Sequence, residues 1–550
     1  MPQDNRFWIA DTFTVGDPIE QKEKEGQMSI DYIIIGAGSA GCALANRLSK
    51  NPKNSVLLLE AGGPDKKQEV GIPAAFAKMF KTEVDWAYET APQENLNGRK
   101  LFWPRGKMLG GCSSINAMIY QRGHRSDYQK WAELGNEEWG YNDVLPYFKK
   151  MENQERGADA YHGTGGPLNV ADLREPNILS KAFVAASQQA GFFHNKDFNG
   201  AKQEGFGQYQ VTQCKGKRES AATAYLKPIM KKRSNLQIET EALATKLQFD
   251  GTRCTGVTYE QNGTTHTAIA NKEVIVSGGA VNSPQLLLLS GIGDNAHLQE
   301  MGIPVVVDLP GVGQNLIDHM LIILAYKCKQ PVTLASAESI VNIAKFLLLG
   351  KGMLSSNIGE AGGFTKILGN STAPDLQFHF APAYFLEHGF KTPEGHGFSI
   401  GPTLVGTRSI GYLKLQSADP HTHPIIQPNY LSNDEDMGIL VEGVKIARKI
   451  AHSPAFAPYL DSEHTPGEKV QSDDEIRDFI RREVETLYHP VGTCKMGQDP
   501  MAVVNSRLQV HGLTGLRVAD ASIMPTIINA NTNVPSIMIG EKCADMILNG

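Results

Sequence analysis

At 550 residues the chain exceeds the ~250–300 residues at which a single hydrophobic core stops growing, so two closely joined domains are expected. Its 53 basic and 59 acidic side chains leave a net charge of −6, spread evenly, which excludes the basic stripe that a nucleic-acid partner requires. Seven cysteines scattered singly make neither a CxxC pair nor a disulfide framework, and reduced thiols in a cytoplasmic compartment are the simplest reading.

Residues 1–28 are polar and mixed in charge, without the apolar stretch of a signal peptide, and read as a flexible leader. A β-branched run from Asp31 to Ile35 then feeds a turn carrying Gly36, Gly38 and Gly41. A helical segment, Cys42 to Leu48, leads to a second apolar run, Val56 to Leu59, that closes on Glu60, 19 positions beyond Gly41. This is a βαβ dinucleotide-binding unit. Gly36 permits the tight turn, Gly38 admits a pyrophosphate, Gly41 lets the helix pack on the strand, and the helix N-terminus offers N–H groups to the phosphates. A carboxylate at the end of the second strand binds ribose hydroxyls and disfavours a 2′-phosphate, so the expected ligand carries an unphosphorylated ADP moiety, as in NAD or FAD.

Further along, Gly110 and Gly111 with Ser113 and Asn116 form a second small-residue turn whose backbone N–H groups suit phosphates or ring oxygens. Glu273 to Ala280 reads as a buried strand entering a small-residue turn, and Ser283 to Gly293 as a helix started by Pro284 and stopped at glycine. Ile340 to Gly350 is too short to span a membrane and is interrupted by Asn342 and Lys345. It reads as a helix packed on the body, or as an interfacial patch toward a membrane or a lipophilic substrate. Leu516 to Ala521 is another strand ending in an acid, Asp520, and Pro535 to Ile547 an apolar helix. The stretches 160–215 and 320–485 alternate apolar and polar residues between turns, as in Ser409 to Leu415. The expected fold is therefore α/β, and α+β overall: a discontinuous Rossmann-type nucleotide domain (29–159, 216–319 and 486–550) with a substrate-binding domain (160–215 and 320–485) on a mainly antiparallel sheet with helices.

At Trp103-Pro-Arg-Gly-Lys-Met-Leu-Gly-Gly-Cys-Ser-Ser-Ile-Asn-Ala-Met-Ile-Tyr-Gln-Arg-Gly-His124 the chain closely resembles the glucose–methanol–choline (GMC) family of FAD-dependent oxidoreductases. The likeness extends through Gly279 to Gly293, Asp318-His319, Tyr488 to Thr493, and Asn529 to Pro535, so it covers nearly the whole chain from residue 30. Within the family, Trp86 to Gly98 and Gly352 to Phe364 are similar to bacterial aliphatic-alcohol dehydrogenases and their choline dehydrogenase relatives. The resemblance implies FAD rather than NAD. Flavin-binding positions implied by it are Ser39, Ala40, Glu60, Ala61, Trp86, Arg105, Asn116, Ala117, Met118, Ile119 and Ala244, with Asp520, Ala521, Asn533 and Pro535 toward the pyrophosphate and ring. Some relatives carry a histidine that holds the flavin covalently just before the motif asparagine; here Ile115 stands there, so dissociable FAD is expected.

The resemblance also makes His489 and Asn531 the catalytic pair: a base with an ordinary pKa near neutrality removes the hydroxyl proton, and an amide donates to the same oxygen. No metal is expected. Cys112 and Cys494 read as small buried residues rather than catalytic thiols, His319 as structural near the flavin or the domain seam, and His124 stays unassigned. Relatives specialised for choline carry a glutamate where Lys327 stands and a serine where Ala117 stands, which favours an uncharged primary alcohol, medium-chain aliphatic or aromatic, over choline. Choline dehydrogenase or oxidase activity remains the alternative. A flavin-dependent fatty-acid photodecarboxylase is the alternative of another class, although His379 occupies the place of its arginine, Ile358 and Gly359 that of its cysteine, and His489 is present. Likeness to the aliphatic-alcohol dehydrogenases implies a quinone or other respiratory acceptor, and the segment 340–350 would support loose contact with the inner membrane.

Overall fold

The structure is a computed structural model describing residues 30–550; the leader expected over residues 1–28 lies outside the described residues. Strands β1 (Ile30–Ile35) and β2 (Val56–Leu59) are almost wholly buried, which their unbroken apolar composition requires of parallel strands covered on both faces. Between them α1 (Ser39–Leu48) begins inside the glycine turn, three residues before the expected start at Cys42. A Cβ on Gly41 would stand 1.9 Å from the carbonyl oxygen of Gly36, so only glycine lets the helix lie this close to the loop.

The first sheet runs Leu236–Glu239, β2, β1, Thr264–Val276, all parallel, with Leu516–Val518 parallel on the far side of the last strand. The first half of Thr264–Val276 also pairs antiparallel with Arg253–Gln261, which pairs in turn with Ala242–Asp250. Helix Asn533–Leu548 packs on α1, where Arg47 Nε and Nη2 donate to the two carboxylate oxygens of buried Glu541, each at 2.7 Å. Helix Gly279–Leu289 begins before Pro284 rather than at it. The proline leaves the Ala280 carbonyl without its helical donor, and the Thr493 hydroxyl supplies one at 2.7 Å.

The second sheet is antiparallel, in the order Leu460–Thr465, Leu324–Cys328, Gly397–Leu404, Leu376–Ala381, Ala361–Thr365, Gly205–Gln208. Met320–Leu321 and Glu485–Thr486 add a short ladder where the chain enters and leaves it. Helices Ile178–Gln189 and Asp434–Ala451 cover one face. Tyr412–Lys414 does form a strand, but it pairs with Ile425–Gln427 in a separate ladder outside this sheet. Ile340–Leu349 is helical, yet Phe346 is its one buried residue. Exposures of at least 66% for Ile340, Val341, Leu347, Leu348 and Leu349, with Ile343 at 39%, correct the reading of a helix packed on the body.

Segments on either side of residue 160 are joined by buried charge. Arg122 donates to Glu152 and to the Tyr161 carbonyl, and His162 bridges Glu152 and Asp197 at 3.0 Å on each ring nitrogen. Burial works against the charged His162 ring, but its hydrogen bonds to Asp197 and Glu152 outweigh burial and carry its pKa up to about 9. A histidine whose folded pKa is raised contributes stability fully below its unfolded value of ~6.5 and loses it as pH rises toward 9. The melting temperature should therefore fall between pH 6.5 and 9 more steeply in the parent protein than in a His162→Gln variant, as followed by circular dichroism.

Candidate active site

A single cleft, about 2250 Å³ with the solvent at its mouth included, runs from the glycine turn of β1–α1 to the second sheet. Its wall brings together Gly36, Gly38, Ser39, Ala40, Glu60, Ala61, Trp86, Arg105, Gly111, Asn116, Ala117, Met118, Ile119, Ala244, Asp520, Ala521 and Asn533 with His489 and Asn531. Gly41, Gly110, Ser113 and Pro535 stand behind the wall. The N–H groups of Gly110 and Gly111 already donate to Ala37 and Met108 carbonyls, and the Ser113 hydroxyl bonds Gly110 and Ala221, so this turn braces the glycine loop instead of offering those donors to a ligand. Pro535 lies in the first turn of its helix, buried against the core.

The nucleotide end has the chemistry an FAD needs. No side chain caps α1, so its first N–H groups face the cleft with their positive dipole end. A Cβ on Gly111 would lie 2.8 Å from Gly38 Cα, so the two turns approach this closely only because both positions are glycine. Glu60 Oε2 and Oε1 accept from Ala37 and Gly62 N–H at 2.8 and 2.9 Å, and burial pushes this carboxyl up to about 7, as suits an acid that ribose hydroxyls would further solvate. Asp520 accepts from Gly279 N–H and the Ser283 hydroxyl, tying the last parallel strand to the helix beside it. Asn533 Nδ2 donates to Ser39 Oγ at 2.8 Å.

At the other end His489 Nε2 stands 3.3 Å from Asn531 Nδ2, and His489 Nδ1 stands 3.0 Å from His319 Nδ1. An amide nitrogen only donates, so Nε2 accepts, and the proton of the neutral ring sits on Nδ1, donated to His319. The His489 backbone N–H donates to Asp318, whose other oxygen accepts from Tyr430 and Thr486. Tyr488 holds φ at +69°, an unusual value for a side chain of its size, and Arg105 and Thr486 bond its carbonyl and N–H. Burial, then the neighbouring His319, His379 and Arg105, holds His489 well below its ordinary value; burial takes His319 down to about 3 and His379 to about 4. His124 has a plain role, its Nδ1 accepting from Ser126 N–H to cap helix Arg125–Glu133. Cys494 is buried, whereas Cys112 lines the cleft and its sulfur accepts from Gly106 N–H.

Beside His489 the wall is aromatic: Phe76 lies 5.9 Å from Phe80 and 6.0 Å from Phe385, and Phe80 lies 5.8 Å from Tyr488, between ring centroids. Leu321, Ile323 and Ile358 complete it. Glu60 and Asp520 are the carboxylates on the cleft wall, and both already accept backbone N–H groups. Lys327 is exposed on its strand and does not reach the wall, so it has no bearing on a cationic substrate; the lack of a carboxylate in the aromatic pocket does. Sequence reasoning missed Phe76, Phe80 and Phe385, which come from short turns without a motif. It weighed His379 only against the arginine of a photodecarboxylase and missed Gln377, although polar residues two apart in the apolar strand Leu376–Ala381 mark one face of that strand as directed toward a polar site.

A nucleotide-binding helix terminus sharing one cleft with a neutral imidazole–amide pair defines a dinucleotide-dependent oxidoreductase. Residues 30–321 and 407–540 match the N- and C-terminal parts of the GMC oxidoreductase family. The chain is 48% identical over 528 residues to an alcohol dehydrogenase [acceptor] of Pseudomonas putida (94% of this chain, 95% of that one). It is 46% identical over 543 residues to the mitochondrial choline dehydrogenase of Homo sapiens (95% and 90%). A formate oxidase of Aspergillus oryzae RIB40, described by the effect of a mutation on its FAD modification, superimposes with a TM-score of 0.88 at 27% identity, covering 95% of this chain and 98% of that one. The protein belongs to the GMC oxidoreductase family, and its cofactor is FAD.

Gly111→Val tests the cradle. Overpacking against the Gly38 backbone costs about 1–3 kcal/mol of folding stability, so the purified variant should lose both flavin absorbance and melting temperature relative to the parent. Gly369→Ala, where an added Cβ meets nothing within 4 Å, should keep both.

Proposed function

We propose that this enzyme oxidises an uncharged primary alcohol, medium-chain aliphatic or aromatic, to the aldehyde, and passes the electrons to a quinone or another non-NAD acceptor. The observation that carries this reading is His489 Nε2 standing 3.3 Å from the Asn531 amide nitrogen, at the foot of an aromatic pocket without a carboxylate. The alcohol oxygen sits between the two groups: its proton passes to Nε2, and Asn531 N–H donates to the oxygen as negative charge develops on it. FAD, held without a covalent bond, supplies the acceptor for the hydride that leaves the carbon. His489 starts neutral because burial depresses its pKa, and the proton it gains is shared along the Nδ1 contact with His319. The second sheet is the substrate-binding part in this reading, because its strands carry His379, Ala381 and Ser399 to the wall. Choline would lack an anionic partner in the pocket. A fatty carboxylate would meet a neutral His379 rather than a cation, which disfavours photodecarboxylation.

Mixed anaerobically with primary alcohols, choline and a fatty acid, the enzyme should lose its visible flavin band with aliphatic or aromatic alcohols. His489→Ala should retain FAD and slow that reduction about 10²–10⁴-fold. The parent rate should hold its plateau down through pH 6, because the base needs to be unprotonated and its pKa lies below the ordinary ~6.5. Reduction by choline alone would overturn the substrate assignment.

The exposed helix Ile340–Leu349 supports contact with an anionic lipid surface, where a lipophilic acceptor resides. Ile340, Val341, Leu347, Leu348 and Leu349 present apolar side chains to solvent, and exposed Lys215, Lys217 and Lys351 flank the helix end, where Gly216 meets Gly350. The neighbouring acids Glu175 and Glu338 are paired with Lys345 and Lys78. The turn Met353–Ser355 that follows packs on Pro73–Met79, the segment bearing Phe76, so the patch adjoins the aromatic end of the cleft. In flotation assays the protein should rise with phosphatidylserine-containing vesicles and not with phosphatidylcholine alone. A Leu347→Asp/Leu348→Asp variant should stay behind while its turnover with a soluble acceptor is unchanged.

A further inference from the structure

Gln377 is fully buried in a central strand of the second sheet, one layer behind the cleft wall. Its Nε2 lies 3.0 Å from Asn531 Oδ1 and 3.2 Å from the Tyr209 hydroxyl, and its Oε1 has no partner among the described residues. The direction of each bond follows from chemistry alone. The Tyr209 hydroxyl stands 2.6 Å from the carbonyl oxygen of Phe378, which only accepts, so the hydroxyl proton is committed there and the phenolic oxygen presents lone pairs to Gln377. The Gln377 atom facing it is then the amide nitrogen, and its second N–H meets the carbonyl oxygen of Asn531. Asn531 is left to present N–H to His489 Nε2, and His489 to carry its proton on Nδ1, toward His319.

We propose that Gln377, oriented by Tyr209, is a positioning residue that fixes which end of the Asn531 amide faces the reacting oxygen, and through it the tautomer of His489. This rests on the His489–Asn531 reading above. The two ends of an amide have nearly the same shape, so packing alone does not choose between them. Turned over, Asn531 would offer its carbonyl to His489, favour the proton on Nε2, and present the alcohol with an acceptor and an N–H in place of a donor and a lone pair. An unpartnered Gln377 Oε1 in a buried site is a cost the fold accepts to keep both N–H groups in use.

Gln377→Leu, Gln377→Glu and Tyr209→Phe, each assayed as holoenzyme by anaerobic flavin reduction, test the inference. Loss of an oriented donor and of the right tautomer costs about 10²–10³-fold or more when complete. Gln377→Leu, which leaves Asn531 free to adopt either orientation, should slow reduction about 10- to 100-fold with less than about a threefold change in the alcohol concentration giving half the maximal rate. Tyr209→Phe should fall between it and the parent. Gln377→Glu gives a distinctive signature: the ionised carboxylate accepts from Asn531 and enforces the wrong orientation, whereas the protonated acid donates to Asn531 Oδ1 and restores the right one. Its reduction rate should therefore rise as pH falls toward 6, where the parent is flat. A Gln377→Leu rate within twofold of the parent, or a Gln377→Glu profile parallel to the parent's, would overturn the proposal. If His489→Ala also reduces its flavin at the parent rate, the catalytic pair itself is wrong; if only the Gln377 variants do, the pair stands and the positioning role fails.

Discussion

The aromatic end of the cleft depends on where one proton sits, that on Nδ1 of His489. A buried imidazole has two neutral forms of similar energy, and only the form with a bare Nε2 accepts a proton from the cleft. His319 takes the Nδ1 proton on one side, and the Asn531 N–H meets Nε2 on the other. The ring is thus held by partners that agree in direction. Around it the backbone is fixed independently, through Asp318 and through the left-handed Tyr488, a conformation of the kind that costs about 1–3 kcal/mol and is held here by Arg105 and Thr486.

No single element supplies that arrangement. His489 lies just past the ladder Glu485–Thr486, Asn531 just before helix Asn533–Leu548, and His319 just before Met320–Leu321. Gln377 and His379 reach the site from the middle of the antiparallel sheet. The parallel sheet, in turn, sets the nucleotide end: its central strands deliver the glycine turn and Glu60, while Asp520 ties the last strand to helix Gly279–Leu289. Rigid sheets on both sides hold the two ends of the cleft in register, which a site built on loops alone would not do.

Electrostatics follow the same division. Where ligand phosphates and ribose would lie, the protein offers helix-terminal N–H groups and buried carboxyls bound to backbone. Where the substrate would lie, it offers neutral imidazoles and aromatic rings. In so apolar a surrounding each hydrogen bond within the His319–His489–Asn531 chain is stronger than it would be in water.

The βαβ unit was legible in the sequence because its signals are local: a strand, three glycines at set spacing, a helix and an acid all follow from short-range sterics and periodicity. That His489 and Asn531 meet in one cleft was anticipated because each stands inside a distinctive motif. That the Gly110 N–H and the Ser113 hydroxyl are taken up by Ala37 and Ala221 was not legible, since local composition does not tell whether a turn's polar groups face a ligand or another loop, and these partners are distant in sequence. The helix at Ile340–Leu349 was legible as a helix, but its exposure was not, because periodicity records an apolar face without saying what covers it. By itself, then, the sequence determined the nucleotide-binding strand–helix–strand and pointed to His489 and Asn531 through the motifs that hold them. The aromatic pocket, the Gln377–Asn531–His489 hydrogen-bond order and the outward-facing apolar helix were decided only by tertiary structure, since each depends on contacts between segments up to several hundred residues apart.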